Sequence, residues 1–296
     1  MDGAHEFTDA LSVDVEDYFQ VEAFADRVSR DDWPSFAPRV RRNCDRILAL
    51  FDKHKLRATF FVLGWVAERN PELVREIARA GHELACHSYL HRRVGSLRQE
   101  EFREDLRRAR DAIQGAAGAP VAGYRAPTFS IVRHTMWAME ILAEEGFLYD
   151  SSIFPIRHDL YGYPEFPRSI QRVQMPSGRE ILEVPMSTIR VSGVTLPLGG
   201  GGYLRLLPMA YTRWAIRRVH ENDGVPVIVY VHPWELDPEQ PRLKGKWKSR
   251  LRHYVGLGRM EARLDEILQT GRFEPVGDVV ARLRATAPVF AACASC

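Results

Sequence analysis

Long apolar runs are missing from this chain. No stretch approaches the roughly 18 residues that a membrane-spanning helix needs. The first residues, MDGAHEFTDALSVDVEDYF, lack a basic segment followed by an apolar one. Neither a membrane span nor a secretory signal is therefore expected; the expected location is cytoplasmic, with peripheral membrane contact left open. Cysteine is scarce, with Cys44, Cys86, Cys293 and Cys296 the only four, which argues against a disulfide framework. Cys44 falls on an amphipathic stretch and Cys86 in an apolar run, so both are expected as buried thiols. Cys293-Ala-Ser-Cys296 has CxxC spacing but no second pair to complete a zinc site. Net charge is small, +2 from 41 basic and 39 acidic residues, so no nucleic-acid partner is expected. The glycines Gly199 to Gly202 are not followed by GK[ST], and no GxGxxG joins a strand to a helix, so there is no phosphate loop. Internal repeats and low-complexity tracts are absent as well.

What remains is an alternation of two periods. Short β-like runs (ALSVDVED, RATFFVLG, HELACH, VAGYRAP, FLYDSSI, REILEVPMSTI, VPVIVYVHP) are separated by segments with apolar residues at helical spacing. The segment NPELVREIARAGHE carries Asn70 as a cap, Pro71 at the first helical position and Gly81 past the end. Ser96 followed by Gln99 has the pattern of a capping box. This order predicts an α/β fold, a distorted (β/α)7-type barrel of mostly parallel strands. Residues 154–202 break the rhythm with many prolines and glycines, and are read as an insertion over the barrel mouth. The segment RLKGKWKSRLRHY, Arg242 to Tyr254, is locally basic. It reads as a solvated helix start, or as a rim attracting an anionic glycan or a membrane surface.

The strands end in ionisable groups again and again. The first ends in Asp14-Val15-Glu16-Asp17, and the third in His87, with His91 four residues on. The fourth ends in Arg125-Ala126-Pro127, the fifth in Asp150-Ser151-Ser152, and the last clear strand in His232-Pro233-Trp234-Glu235. Barrel active sites lie at strand C-termini. Imidazoles at i and i+4 share one face of a helical turn and can share a metal ion. Two histidines and a carboxylate leave a tetrahedral ion with one open position, where water becomes a nucleophile near neutral pH. A second carboxylate can take its proton, and a separate histidine can protonate a leaving nitrogen. An amide such as an N-acetyl group is a fitting target.

The order of an Asp motif, HSxxH, RxP and a late strand ending in His resembles the polysaccharide deacetylases with the NodB homology fold, carbohydrate esterase family four. The resemblance runs from about Leu11 to Leu283. GGGYLRLLP, YVHPWELDPEQPR and RHYVGLGRMEARLDEIL resemble the branch encoded beside exosortase and exopolysaccharide genes. It implies one deacetylase domain over 1–296, with the insertion at about 154–202 and a C-terminal extension at about 236–285. It also implies a divalent metal, Zn2+ first with Co2+ or Ni2+ as alternatives, and an N-acetylated glycan as substrate. By this resemblance His87 and His91 are metal ligands, Asp14 is the base, Arg125 positions it, His232 is the general acid and Asp150 orients His232. Thr128 or Phe129 would offer a backbone N–H to the oxyanion.

Two departures stand out. The usual first motif has two adjacent aspartates, where this chain has Asp14-Val15-Glu16-Asp17. Strand parity puts Glu16 on the side of Asp14, whereas residue type favours Asp17; Asp17 is taken as the third ligand, with Glu16 the alternative. Tyr230 stands where a leucine is usual, and either shapes the acetyl pocket or points into the core. Trp234 is read either as a sugar-stacking ring or as core.

Overall fold

The computed structural model describes residues 7–158, 160–198 and 200–292. Cys293 and Cys296 lie outside them, as does Gly199. Twelve strands are present among the described residues: β1 (Asp9–Val15), β2 (Thr59–Val62), β3 (Glu83–Cys86), β4 (Gly123–Tyr124), β5 (Tyr149–Asp150), β6 (Gln171–Gln174), β7 (Glu180–Glu183), β8 (Thr188–Val191), β9 (Val194–Pro197), β10 (Ile228–Val231), β11 (Phe273–Glu274) and β12 (Val289–Ala291). The helices are α1 (Val40–His54), α2 (Gly64–Arg69), α3 (Pro71–Arg79), α4 (Gln99–Ala117), α5 (Trp137–Glu144), α6 (Gly201–Leu206), α7 (Met209–Asp223), α8 (Trp247–Tyr254), α9 (Leu257–Thr270) and α10 (Val276–Leu283).

Seven strands, in the order β10-β1-β2-β3-β4-β5-β7, are parallel neighbours. This is the α/β barrel that the alternation predicts. β6 runs antiparallel to β7, β12 lies on β6, and β11 extends the edge of β1. Among the described residues no ladder joins β7 to β10. The gap is spanned by the Ile228 N–H donating to Ser187 Oγ at 2.7 Å and by one bridge between Gly200 and Tyr230. The barrel is therefore distorted on that side.

β1 is buried along all seven residues, as expected for a parallel strand covered on both faces. Alternate side chains point to opposite sides of such a strand. Ala10, Phe61, Ala85 and Ile228 belong to the inner core, while Leu11, Phe60, Leu84 and Val229 pack in the larger core beneath the helices. Counting from Ala10, the same parity turns Ser12 and Asp14 inward.

Local chemistry explains where the helices begin. α4 starts at Gln99, and the Arg98 N–H donates to Glu101 Oε2 at 2.9 Å. Ser96 instead donates from Oγ to Arg93 O, so the expected box at Ser96 is displaced by two residues. Asn70 makes no cap bond to α3; its Nδ2 turns back to Val66 O at 3.1 Å. Residues 154–202 contain β7, the seventh parallel strand, along with β6 and the β8–β9 hairpin.

Candidate active site

The C-terminal ends of β1, β3, β4 and β10 converge on a cavity of about 160 Å³. Asp14, Glu16, His87, His91, Ala126, Thr128, Phe129, His232 and Trp234 are among its lining residues. The histidines do not meet on a helical turn. β3 ends at Cys86, and the loop after it bends through Ser88 (φ +68°) and His91 (φ +51°). Side chains other than glycine rarely adopt that left-handed region. Thr128 and Phe129 share it, at φ +58° and +49°. Three of the six positive-φ residues that are not glycine among those described thus line this cavity, and Ser88 follows the lining residue His87, as strained backbone does at functional sites. The loop is fixed from behind, where Arg30 donates to Leu90 O (2.7 Å) and His91 O (3.0 Å), and Asp105 accepts from the Tyr89 N–H at 2.7 Å.

Glu16, His87 and His91 each present a ligand atom, all within 4.8 Å of one another, and all three residues are buried. His87 Nδ1 faces Arg125 O at 2.8 Å, which turns Nε2 toward the cavity. Burial holds the His87 imidazole down, at about 4, so it is neutral and able to ligate. Glu16 Oε1 accepts from Trp234 Nε1 at 3.0 Å. Its Oε2 lies 2.8 Å from His91 Nε2, yet is buried without a hydrogen bond. Burial would raise the Glu16 carboxyl, but the imidazoles of His91, His232 and His87 hold it at about 2. A buried, ionised carboxylate with an unsatisfied oxygen between two imidazoles is costly unless a cation completes it. The donor set fits a divalent cation with an open position.

Asp17 is elsewhere. Its Oδ1 accepts from the Tyr18 N–H at 2.9 Å, and its Oδ2 from the N–H groups of Arg39 (2.6 Å) and Val40 (2.9 Å). It therefore caps the start of α1 from a distance in sequence. Residue type misled here because the geometry follows strand parity, which brings Glu16 to the imidazoles.

Asp14 and Arg125 form a fully buried pair. Arg125 Nη1 donates to Asp14 Oδ1 (2.7 Å) and Ser12 Oγ (2.9 Å), while Nε and Nη2 go to Ser151 O and Oγ. The guanidinium carbon sits 4.0 Å from the Phe61 ring centroid. These contacts leave Asp14 Oδ2 facing the cavity, 3.9 Å from His232 Nε2.

His232 stands on the opposite wall. Its Nδ1 lies 3.0 Å from Glu235 Oε2, and Glu235 Oε1 accepts from Arg205 Nε at 2.6 Å. Arg205 is tied down by the carbonyls of Arg252, His253 and Val255. Burial would lower the His232 imidazole, but Glu235 carries it up to about 9. Trp234 is packed between His232 (5.2 Å between centroids) and His253 (4.2 Å), and His253 Nε2 meets Gln240 Oε1 at 2.7 Å. Trp234 is thus wall and hydrogen-bond donor in one. Glu235, Arg205 and His253 are site residues that the strand-end reading did not assign. The one available signal was the spacing of His232 and Glu235, three residues apart at a strand end.

Asp150 does not reach His232. It faces Glu183 across the β5–β7 register, fully buried, and accepts from Ser152 Oγ at 2.5 Å. Burial pushes both carboxyls up, Asp150 to about 6 and Glu183 well above its ordinary range, so the pair retains a proton. Ser152 Oγ in turn accepts from the Ala126 N–H at 2.7 Å, tying this pair to the loop after Arg125. Tyr230 is buried and does not line the cavity. Its ring backs Phe129 at 5.1 Å, and a Cβ on Gly200 would come within 2.0 Å of it. Gly200 and Gly201 therefore make room for the tyrosine ring. The Phe129 N–H donates to Ala126 O at 3.1 Å, and Thr128 lines the cavity beside it.

Trp234→Phe keeps a ring in place but removes the indole donor to Glu16. Groups that orient a ligand typically contribute ten- to hundredfold in metal affinity. A loss of that size is expected in a zinc titration, with little change in melting temperature; unchanged affinity would remove Trp234 from this role.

Residues 29–144 match the polysaccharide deacetylase family, and residues 151–281 match a domain of unknown function, DUF3473. A peptidoglycan-N-acetylglucosamine deacetylase of Bacillus cereus is 31% identical over 32% of this chain and 35% of its own length. A peptidoglycan deacetylase of Helicobacter pylori is 32% identical over 36% of each chain. The chain thus spans about a third of these curated relatives. Two solved structures share the fold. A protein from Mycobacterium smegmatis named as a polysaccharide deacetylase has a TM-score of 0.59 at 22% identity, covering 97% of this chain and 95% of its own. Puue allantoinase has a TM-score of 0.62 at 15% identity, covering 98% and 94%. With its strand-end site and these matches together, the chain carries a polysaccharide deacetylase domain of the NodB, carbohydrate esterase family four, type.

Proposed function

We propose that this protein is a divalent-metal-dependent hydrolase that removes N-acetyl groups from N-acetylhexosamine units of a glycan, in exopolysaccharide synthesis. One observation carries the reading: Glu16, His87 and His91 converge between the Asp14–Arg125 pair and the His232–Glu235 pair. A divalent cation held by those three residues, with zinc the first choice, would supply Lewis acidity toward water and the acetyl carbonyl. Arg125 fixes one oxygen of Asp14, so that the free oxygen is aimed to take the proton of the attacking water. His232, protonated at neutral pH and fixed through Nδ1 by Glu235, gives its Nε2 proton to the departing amine nitrogen. Asp150 belongs to the support of Arg125 and Ala126.

The chain is read as one unit, with residues 236–285 as an extension that braces His232 and Trp234. No described residue between 154 and 202 lines the cavity. That favours a polymer or carried glycan over a small amide closed in by a lid. The match to DUF3473 supports the exopolysaccharide assignment. No helix among the described residues is long and apolar enough to cross a membrane, and a cytoplasmic or membrane-peripheral site of action is proposed.

The test is acetate release from N-acetylglucosamine oligomers by the zinc-loaded protein, beside a chelated sample and His232→Ala. The expected result is release that chelation abolishes and that His232→Ala lowers by about 10²- to 10⁴-fold. Release unaffected by chelation would overturn the metal mechanism. A folded, zinc-loaded protein that hydrolyses a ureide amide but no acetamido sugar would overturn the substrate class.

A further inference from the structure

Soluble domains bury most large apolar side chains, and a contiguous exposed set marks a contact surface. Nine large apolar side chains are exposed among the described residues. Three of them lie along one helix: Trp247 at 70%, Leu251 at 54% and Val255 at 39%. Trp247 and Leu251 are i and i+4 on α8, and Val255 follows four residues later as its cap, so they form one stripe. A fourth, Leu206 at 45%, follows Arg205, whose guanidinium is bonded to the carbonyls of Arg252, His253 and Val255. The patch is therefore held rigidly to the body.

Its flanks are of one sign. Residues 241–260 contain Arg242, Lys244, Lys246, Lys248, Arg250, Arg252 and Arg259 and no acidic residue, against +2 for the whole chain. Lys246 pairs with Asp26 at 3.2 Å. Among the described residues, Lys244, Lys248, Arg250 and Arg252 have no carboxylate within ion-pair distance. A rigid helix with an exposed Trp–Leu–Val stripe set among unpaired cations matches the amphipathic surface of a bilayer with anionic headgroups. The aromatic residue at the edge suits the headgroup level.

We propose that α8 is an interfacial anchor that seats this protein on an anionic phospholipid bilayer. The opposite face of the same helix supports the cavity: His253 is buried and stacked on Trp234, a cavity wall, and packs on Phe24 at 4.9 Å. The wall is thus about one helix diameter, roughly 10–12 Å, from the stripe. Under the proposed function, which this consequence alone requires, the arrangement suits a glycan carried on a lipid.

The test is flotation with vesicles of phosphatidylglycerol and phosphatidylcholine, beside phosphatidylcholine alone. The wild-type chain is expected to float with the anionic vesicles and to be released by high salt. The double variant Trp247→Ala/Leu251→Ala is expected to partition about tenfold less, since it loses the inserted apolar area. Lys248→Glu/Arg250→Glu should lose the binding to anionic vesicles. All four positions are exposed, so both variants should keep the circular dichroism of the parent. No flotation of the wild type, or flotation unchanged in both variants, would overturn the proposal. So would lipid-free self-association that Trp247→Ala/Leu251→Ala abolishes, because the stripe would then be a contact between copies. The readout needs no turnover, so it stands apart from the acetate assay.

Discussion

Glu16→Gln is expected to lose bound divalent cation and hydrolytic activity together, while Asp17→Ala keeps both. The amide is nearly isosteric with the carboxylate and still accepts from Trp234 Nε1, so the fold around it should hold. What disappears is the negative charge between the two imidazoles. If removing a group that merely orients a ligand lowers metal affinity ten- to hundredfold, removing the ligand itself should exceed about a hundredfold. Asp17 accepts from the Tyr18, Arg39 and Val40 N–H groups instead. Asp17→Ala strands two donors at the start of α1, with an expected loss of about 1–2 kcal/mol in unfolding free energy. Zinc content by elemental analysis, acetate release and a denaturant midpoint separate the two variants. The reverse pattern, with metal lost in Asp17→Ala and kept in Glu16→Gln, would exchange their roles.

The second large effect concerns pH. Glu235 carries the His232 imidazole up to about 9 against burial, and the protonated imidazole is the active form. Activity should therefore fall as pH rises through that value. In Glu235→Gln the carboxylate is gone while burial and the charges of Glu16 and Asp14 remain, so the imidazole drops to near its ordinary value of about 6.5. The fraction protonated at pH 8 then falls roughly thirtyfold, but less than twofold at pH 6. A cation at Glu16 would lower the imidazole in parent and variant alike, which preserves the difference. Arg205 retains its three carbonyl acceptors in the variant, and its melting temperature should be recorded to show that the fold persists. A uniform loss at all pH values would mean that Glu235 serves structure only.

Much of the barrel was legible because its strands are buried on both faces and end in charge. Apolar runs such as TFFV and IVYV have no other stable setting beside helical spacing, and Asp14, His87, Arg125 and His232 stand where those runs stop. The sequence was less informative wherever the chain folds back over a long separation. Asp17 and Glu16 are adjacent, and only the placement of Arg39 and Val40 shows that the former is occupied in capping α1. Asp150 sits at a strand end like the others, yet its register partner Glu183 diverts it into a buried acid pair. Residues 154–202 were read as insertion because their prolines and glycines mask β7, a four-residue strand. The His87–His91 spacing suggested a helical turn, whereas two left-handed residues bring the rings together.

The seam between β1 and β10 has a consequence for synthesis. Asp14, Glu16, His87, His91 and Arg125 precede residue 151, whereas Arg205, His232, Trp234, Glu235 and His253 follow it. β1 is zipped to β10 across more than two hundred residues, Ala10 to Ile228. A ribosome must deliver most of the chain before that edge is covered, so the nascent first half presents an apolar, unpaired strand. Neither half holds the site alone: the second brings the proton donor His232, its carboxylate partner Glu235 and the indole of Trp234 that reaches Glu16. A substitution in either stretch is therefore felt in the other, across the site that both complete.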